Sequence, residues 1–103
     1  MKKIIAAAAT MTGRRRNNQD NFMLNGRFAE LDHGTFSCKA ESESRYPFFA
    51  AVCDGMGGEA SGERASYEAC AVLADAAHTL SSDFSANKAA VSNAILNAND
   101  RLC

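Results

Sequence analysis

The sequence predicts an α+β fold, with β-strands first and two helices at the C-terminal end. Three observations predict it. The first half carries short apolar runs bounded by turn residues, and Asn25-Gly26 sits between two of them. That dipeptide marks a hairpin, because both central positions of the tight turn need positive φ. A second run, residues 48–53 (FFAAVC), is closed by Pro47 before it and by a glycine-rich stretch after it. Beyond Gly62 the apolar spacing changes to three and four, the period of one helix face.

Each element follows in chain order. Residues 4–12 read as a first strand of small side chains. The opening Met1-Lys2-Lys3 followed by apolar residues imitates a secretory signal, but the apolar stretch is short and runs into Arg14-Arg15-Arg16. A strand is therefore the preferred reading. Residues 13–18 are polar and basic, hence a loop. Residues 22–24 form a strand, Asn25-Gly26 the turn and residues 27–31 the return strand. Residues 32–46, with Asp32, His33, Gly34 and Glu41-Ser42-Glu43-Ser44, read as a surface loop or ragged hairpin. The continuous apolar run 48–53 reads as a strand buried on both faces. The first helix starts at Gly62 or Glu63, with Ala65, Ala69, Val72, Leu73, Ala76 and Leu80 as its stripe. Residues 81–85 break the helix and Ser85 serves as N-cap. A second helix covers 86–102, with Val91, Ala94, Ile95, Ala98 and Leu102 inward.

Composition bounds the function. Lys and Arg number 11 and Asp and Glu 12, for a net charge of −1. That balance argues against a nucleic-acid-binding arm. No apolar stretch reaches the roughly 18 residues a membrane span needs. The cysteines at 38, 53, 70 and 103 match no zinc spacing, so a reducing cytoplasm is the simplest compartment. Alanine supplies 20 of the 103 residues, whereas Leu, Ile, Val and Phe together supply 18. So few large apolar side chains fit a chain that contributes part of a larger core.

The chemistry concentrates in two segments. Asp54-Gly55-Met56-Gly57-Gly58 puts a carboxylate directly after a strand and before a glycine turn and a helix. An ionised Asp at a core edge needs a partner, and a divalent cation held by oxygens is a natural one. A tight turn in which Asp54 caps backbone amides is the plain alternative. Gly55-x-Gly57-x-x-Ala60, with Asp75 further on, also has the spacing of a dinucleotide fingerprint. Against it, Asp54 sets negative charge toward a pyrophosphate and Asp75 falls in a helical pattern. The second segment, Arg14-Arg15-Arg16-Asn17-Asn18-Gln19-Asp20, offers guanidinium groups that can hold a phosphate. Taken alone it is a solvated loop.

Together the segments resemble the start of the PPM-type, protein phosphatase 2C-like, serine/threonine phosphatases. Gly13-x-Arg15-x-x-Asn18-Gln19-Asp20 resembles that family's opening signature. Residues 49–58 (FAAVCDGMGG), continuing through Gly62-Glu63-Arg64-Ala65-Ser66, resemble its second. The resemblance implies the N-terminal part of a two-sheet antiparallel β-sandwich flanked by helices. It implies hydrolysis of phosphoserine and phosphothreonine in protein substrates by metal-activated water, with two Mg²⁺ or Mn²⁺ ions. Asp54 would bridge the ions, Gly55 would lend its carbonyl, Arg15 would hold the phosphate, and Asp20 and Gln19 would lie beside the metal-bound waters. Nucleic acid and membrane are not expected partners, and neither His33 nor His78 matches a catalytic position. Gln19 stands where many members carry Glu. The family's later aspartates have no counterpart here, since Asp75, Asp83 and Asp100 lack the matching neighbours. The expectation for the isolated chain is therefore weak or absent activity. A non-catalytic remnant or interaction module of the same family is the first alternative, and a dinucleotide-binding module the second.

Overall fold

The computed structural model describes residues 3–31, 33–43, 47–55 and 60–102. Within them, five strands precede two helices. The strands are β1 (Lys3–Thr10), β2 (Asp20–Leu24), β3 (Arg27–Phe28), β4 (Phe36–Glu43) and β5 (Ala50–Asp54), and the helices are α1 (Ala60–Ala77) and α2 (Phe84–Leu102). β1 and β4 form one antiparallel sheet, and β3-β2-β5 form a second, also antiparallel. This is the expected α+β order, with the two sheets face to face. The N-terminal run is strand β1.

The hairpin forms where the sequence places it. Asn25 and Gly26 adopt φ of 50° and 99° between β2 and β3, the doubly positive pattern of a tight hairpin turn. The return strand is shorter than expected and ends at Phe28.

β4 departs from expectation, because residues 32–46 read as a loop or ragged hairpin. Its period of two is carried by Phe36, Cys38 and Ala40, which pack inward while Ser37, Lys39 and Glu41 alternate with them. Two of the three inward residues are small, so hydropathy hides the pattern. Opposite them in register stand Thr10, Ala8 and Ala6 of β1.

β2 is the centre of the molecule. Phe22 and Leu24 point to the β1–β4 sheet, where they join Cys38 in a core cluster. Phe22 and Phe36 stack there with ring centroids 5.4 Å apart. On its other face Met23, fully buried, meets Cys70, Leu73 and the rest of the helical core. β2 is thus the strand covered on both sides. The sequence assigned that role to residues 48–53, and here the structure corrects it. β5 is an edge strand, and the first sheet does not reach over it. Ala51 and Cys53 pack toward α1, whereas Val52 is 86% exposed.

The helices meet through small residues. Val72, Leu73 and Ala76 of the expected α1 stripe are buried, while Ala65, Ala69 and Leu80 are only partly so and Leu80 lies past the helix end. Glu63, Ser66, Cys70 and Ala74 complete the buried face. On α2 only Ala94 and Ala98 are buried, and Ile95 and Leu102 of the expected stripe are exposed. Ala94 and Ala98 join Val72, Leu73 and Ala76 of α1 in one core cluster. The N-cap is Asp83, not Ser85. Asp83 Oδ1 accepts from the Ser85 and Ala86 N–H groups at 3.0 and 3.3 Å, a cap usually worth about 1 kcal/mol.

Candidate functional site

The expected site residues gather where β2 begins and β5 ends. β2 and β5 run antiparallel with Asp20 directly opposite Asp54. Strand alternation puts these carboxylates on one face together with Phe22 and Val52.

The approach to β2 is held by Asn18, which is buried. Its Nδ2 donates to Thr10 Oγ1 at 2.8 Å and to the Gly34 carbonyl at 2.7 Å. Its Oδ1 accepts from the Asp20 N–H at 3.0 Å. One amide therefore ties the end of β1 and the turn before β4 to the first site residue. Asn17 reaches the other way, donating to Glu63 Oε2 of α1 at 3.1 Å. The Gly55 N–H donates to the Gln19 carbonyl at 3.0 Å. Gly55 also lies against the Gly62 carbonyl, so closely that a Cβ would stand 1.9 Å from that oxygen. The strand-to-helix corner is thereby pressed onto the residue preceding Asp20.

The charges respond to this packing. Asp20 stays exposed, yet its pKa is raised. The partial loss of its water acts first, followed by the hydrogen bond and the negative charge of Asp54. The Arg15 guanidinium and the Gly55 N–H pull in the opposite direction and are outweighed. Because the raised pKa belongs to the folded state, the folded chain holds this proton more tightly than the unfolded chain. The stability linked to Asp20 is complete below the ordinary carboxylate pKa and is lost as pH rises through the raised one. Asp20→Asn is therefore expected to melt above the wild type at pH 7 without divalent metal. The gap should close near about pH 3, where both forms are neutral. A variant that melts lower at pH 7 would contradict the repulsion.

Of the residues named from sequence, Asp20, Asp54, Gly55 and Arg15 come together. Gln19 is buried, and its backbone carbonyl is what links it to Gly55. Met56, Gly57, Gly58 and Glu59 lie outside the described residues. His33 is a site neighbour that sequence reasoning missed. One ring nitrogen lies 2.9 Å from the Asp20 carbonyl and the other 2.9 Å from the Glu30 carbonyl. A lone histidine in a polar stretch gives no sequence signal of such a bridge. His78 is exposed just past α1, with its ring against Gly26.

The donor set suits a hard cation. Two carboxylates share one face, and their mutual repulsion is what a divalent ion relieves. Among the described residues no group of three or more His, Cys, Asp or Glu is placed to hold a metal. The remaining ligands here would be carbonyls and water, as is usual for Mg²⁺. The dinucleotide alternative loses its frame. That fingerprint needs a parallel strand–helix–strand unit, whereas every described pairing is antiparallel and Asp75 is an exposed residue within α1.

Three further observations bear on function. Comparisons with protein-family models, with characterised proteins and with solved structures give no match. Among the described residues, no helix is long and apolar enough to cross a membrane. Cys53 on β5 and Cys70 on α1 are free thiols in hydrogen-bond contact, which lowers the pKa of Cys53 and raises that of Cys70.

Proposed function

We propose that the Asp20–Asp54 corner is the metal-binding part of a PPM-type protein serine/threonine phosphatase site. The observation that carries the reading is the register pair itself. Two carboxylates 34 positions apart in sequence stand opposite each other on one sheet face, with Gly55 and the charge of Arg15 beside them. The resemblance assigns those four residues to a single site. Mg²⁺ or Mn²⁺ would be held by Asp20, Asp54 and the Gly55 carbonyl, and when bound it supplies Lewis acidity toward water and phosphoryl oxygen. Arg15 supplies a fixed positive charge for the phosphate of a phosphoserine or phosphothreonine protein, a role a guanidinium fills by paired hydrogen bonds. Asn18 and His33 hold the backbone of Asp20, and so set where its carboxylate stands. Gly55, pressed against Gly62, does the same for the end of β5. The free thiols suit a cytoplasmic location.

Calorimetric titration with Mn²⁺ tests the reading. Saturable binding to the wild type is expected, weakened by about tenfold or more in Asp54→Asn, since affinity for hard cations follows ligand charge. With p-nitrophenyl phosphate the 103-residue chain is expected to turn over slowly or not at all, because two carboxylates leave most ligand positions to water. Mn²⁺ binding without turnover would favour a non-catalytic member of the family. Absence of Mn²⁺ binding, with the fold intact, would remove the phosphatase reading.

A further inference from the structure

We propose that the outer flank of α2 is a self-association surface, on which a second copy of this chain lays its own α2 in the antiparallel sense. Among the described elements, α2 packs against α1 alone. That contact buries only Ala94 and Ala98 of α2. A second row stands beside them. Phe84, Val91, Ile95 and Leu102 follow one another at intervals of seven, four and seven residues, so at 3.6 residues per turn they fall within about 40° of arc. Phe84, Ile95 and Leu102 are 78%, 56% and 45% exposed, and Val91 is partly buried. With Lys88 and Ala98 on its two margins, the row runs from 84 to 102 in alternating steps of four and three. That alternation is the pattern by which two helices pack along a seam. Single exposed apolar residues are ordinary on a surface, whereas a row along the length of a helix marks a contact.

The row is complementary to its own reverse. Laid antiparallel about the midpoint of α2, Phe84 meets the second copy's Leu102, Val91 meets its Ile95 and Lys88 meets its Ala98. The two-fold axis repeats the same three layers on the other half. Charge selects this direction. Laid parallel, Lys88 would stand against Lys88 of the second copy, a like-charge pair within the seam. Laid antiparallel, its stem crosses the small Ala98 and its ammonium reaches the last turn of the other helix, where the macrodipole is negative. The net charge of −1 leaves little general repulsion between copies. α2 has 19 residues, a length of about 28 Å. One such helix face buries less than the roughly 1,200 Å² of a standard interface, so the dimer is a weak one. The inference uses no residue of the Asp20–Asp54 corner and does not depend on the phosphatase reading.

Sedimentation equilibrium of the full chain tests it. Between about 10 μM and about 1 mM, where small interfaces associate, the weight-average mass should climb from 11.0 kDa toward twice that value and no further. Ile95→Lys should stay at the monomer mass across the range. Leu96→Lys, on the same helix but outside the row, and Val52→Lys, on the exposed edge strand, should associate like the wild type. Circular dichroism checks that each variant is folded. The direction is read from Phe84→Glu and Leu102→Lys, each of which places at a helix end the charge that end favours. An equimolar mixture of the two should dimerise more tightly than either alone, because a Glu–Lys layer then stands at one end of the seam and an intact Phe84–Leu102 layer at the other. Should Ile95→Lys fail to fold, the mixture still decides. A monomer throughout, a dimer that survives Ile95→Lys, dissociation by Leu96→Lys or Val52→Lys, growth beyond the dimer, or a mixture no tighter than its components would overturn the proposal.

Discussion

Replacing Gly55 by alanine is expected to cost about 3 kcal/mol or more, a large fraction of the stability of a small domain. The added methyl would sit 1.9 Å from the Gly62 carbonyl oxygen and 2.5 Å from that of Gln19. Both are backbone atoms, so neither can turn aside as a flexible side chain would. Relief requires α1 to back away from β5 or the Gly55–Gln19 hydrogen bond to break. Urea unfolding of the variant measures the loss. Gly13→Ala is the control, since a Cβ there meets nothing within 4 Å. It should lose only the roughly 1 kcal/mol of a left-handed backbone site. Equal losses at the two positions would mean that the close approach at Gly55 carries no special weight.

The second large effect is expected at Asn21. This side chain is 1% exposed and works in place of a strand. β3 stops at Phe28, and Asn21 then takes over the pairing of the next residue. Its Nδ2 donates to the Ala29 carbonyl at 3.0 Å, and its Oδ1 accepts from the N–H groups of Ala29 and Phe22 at 3.1 and 2.8 Å. Asn21→Ala strands three buried backbone groups at once. A single unsatisfied buried group costs about 1–3 kcal/mol, so a loss of about 3 kcal/mol or more follows. Asn21→Asp separates the causes. As an acid it can still donate to the Ala29 carbonyl, and as a carboxylate it cannot. Its deficit relative to wild type should therefore shrink as pH falls toward about 4 and be smallest below that, where the carboxyl is protonated in both the folded and the unfolded chain. A pH-independent deficit would show that amide hydrogen bonding is not what the site requires.

The parts of the fold legible in sequence were those with a local physical cause. Asn25-Gly26 fixes its hairpin through backbone dihedrals alone, and the helical spacing after Gly62 produces α1 and α2 whatever they pack against. β4 was lost because Cys38 and Ala40 are small and their outward neighbours are Ser, Lys and Glu. The double burial given to residues 48–53 belongs instead to β2, whose Asn21 looks polar in sequence but replaces a missing ladder. Which strand lies at an edge depends on sheet order, and sheet order has no local signature. Ser85 looked like a cap because Asp83 is two positions further from the periodic run. The site was legible as residue types, in Asp20, Asp54, Gly55 and Arg15. The supports of Asp20 were not, since Asn18 and His33 act through backbone contacts that only the folded chain brings near.

The opposition of Asp20 and Asp54 has a consequence for how such a corner fails. Their separation is not chosen by side-chain rotamers but inherited from the rungs of an antiparallel ladder, where facing Cα atoms stand about 4.5–5.5 Å apart. A slip of one residue between β2 and β5 would set Asp20 against Cys53 and send Asp54 to the neighbouring rung. Because side chains alternate with period two, the slip would also turn every residue of one strand to the other side of the sheet. Intermediate spacings do not exist on a ladder. The carboxylate pair is thus a digital feature of strand alignment: it is whole when the alignment is right and abolished, rather than blurred, when it is wrong.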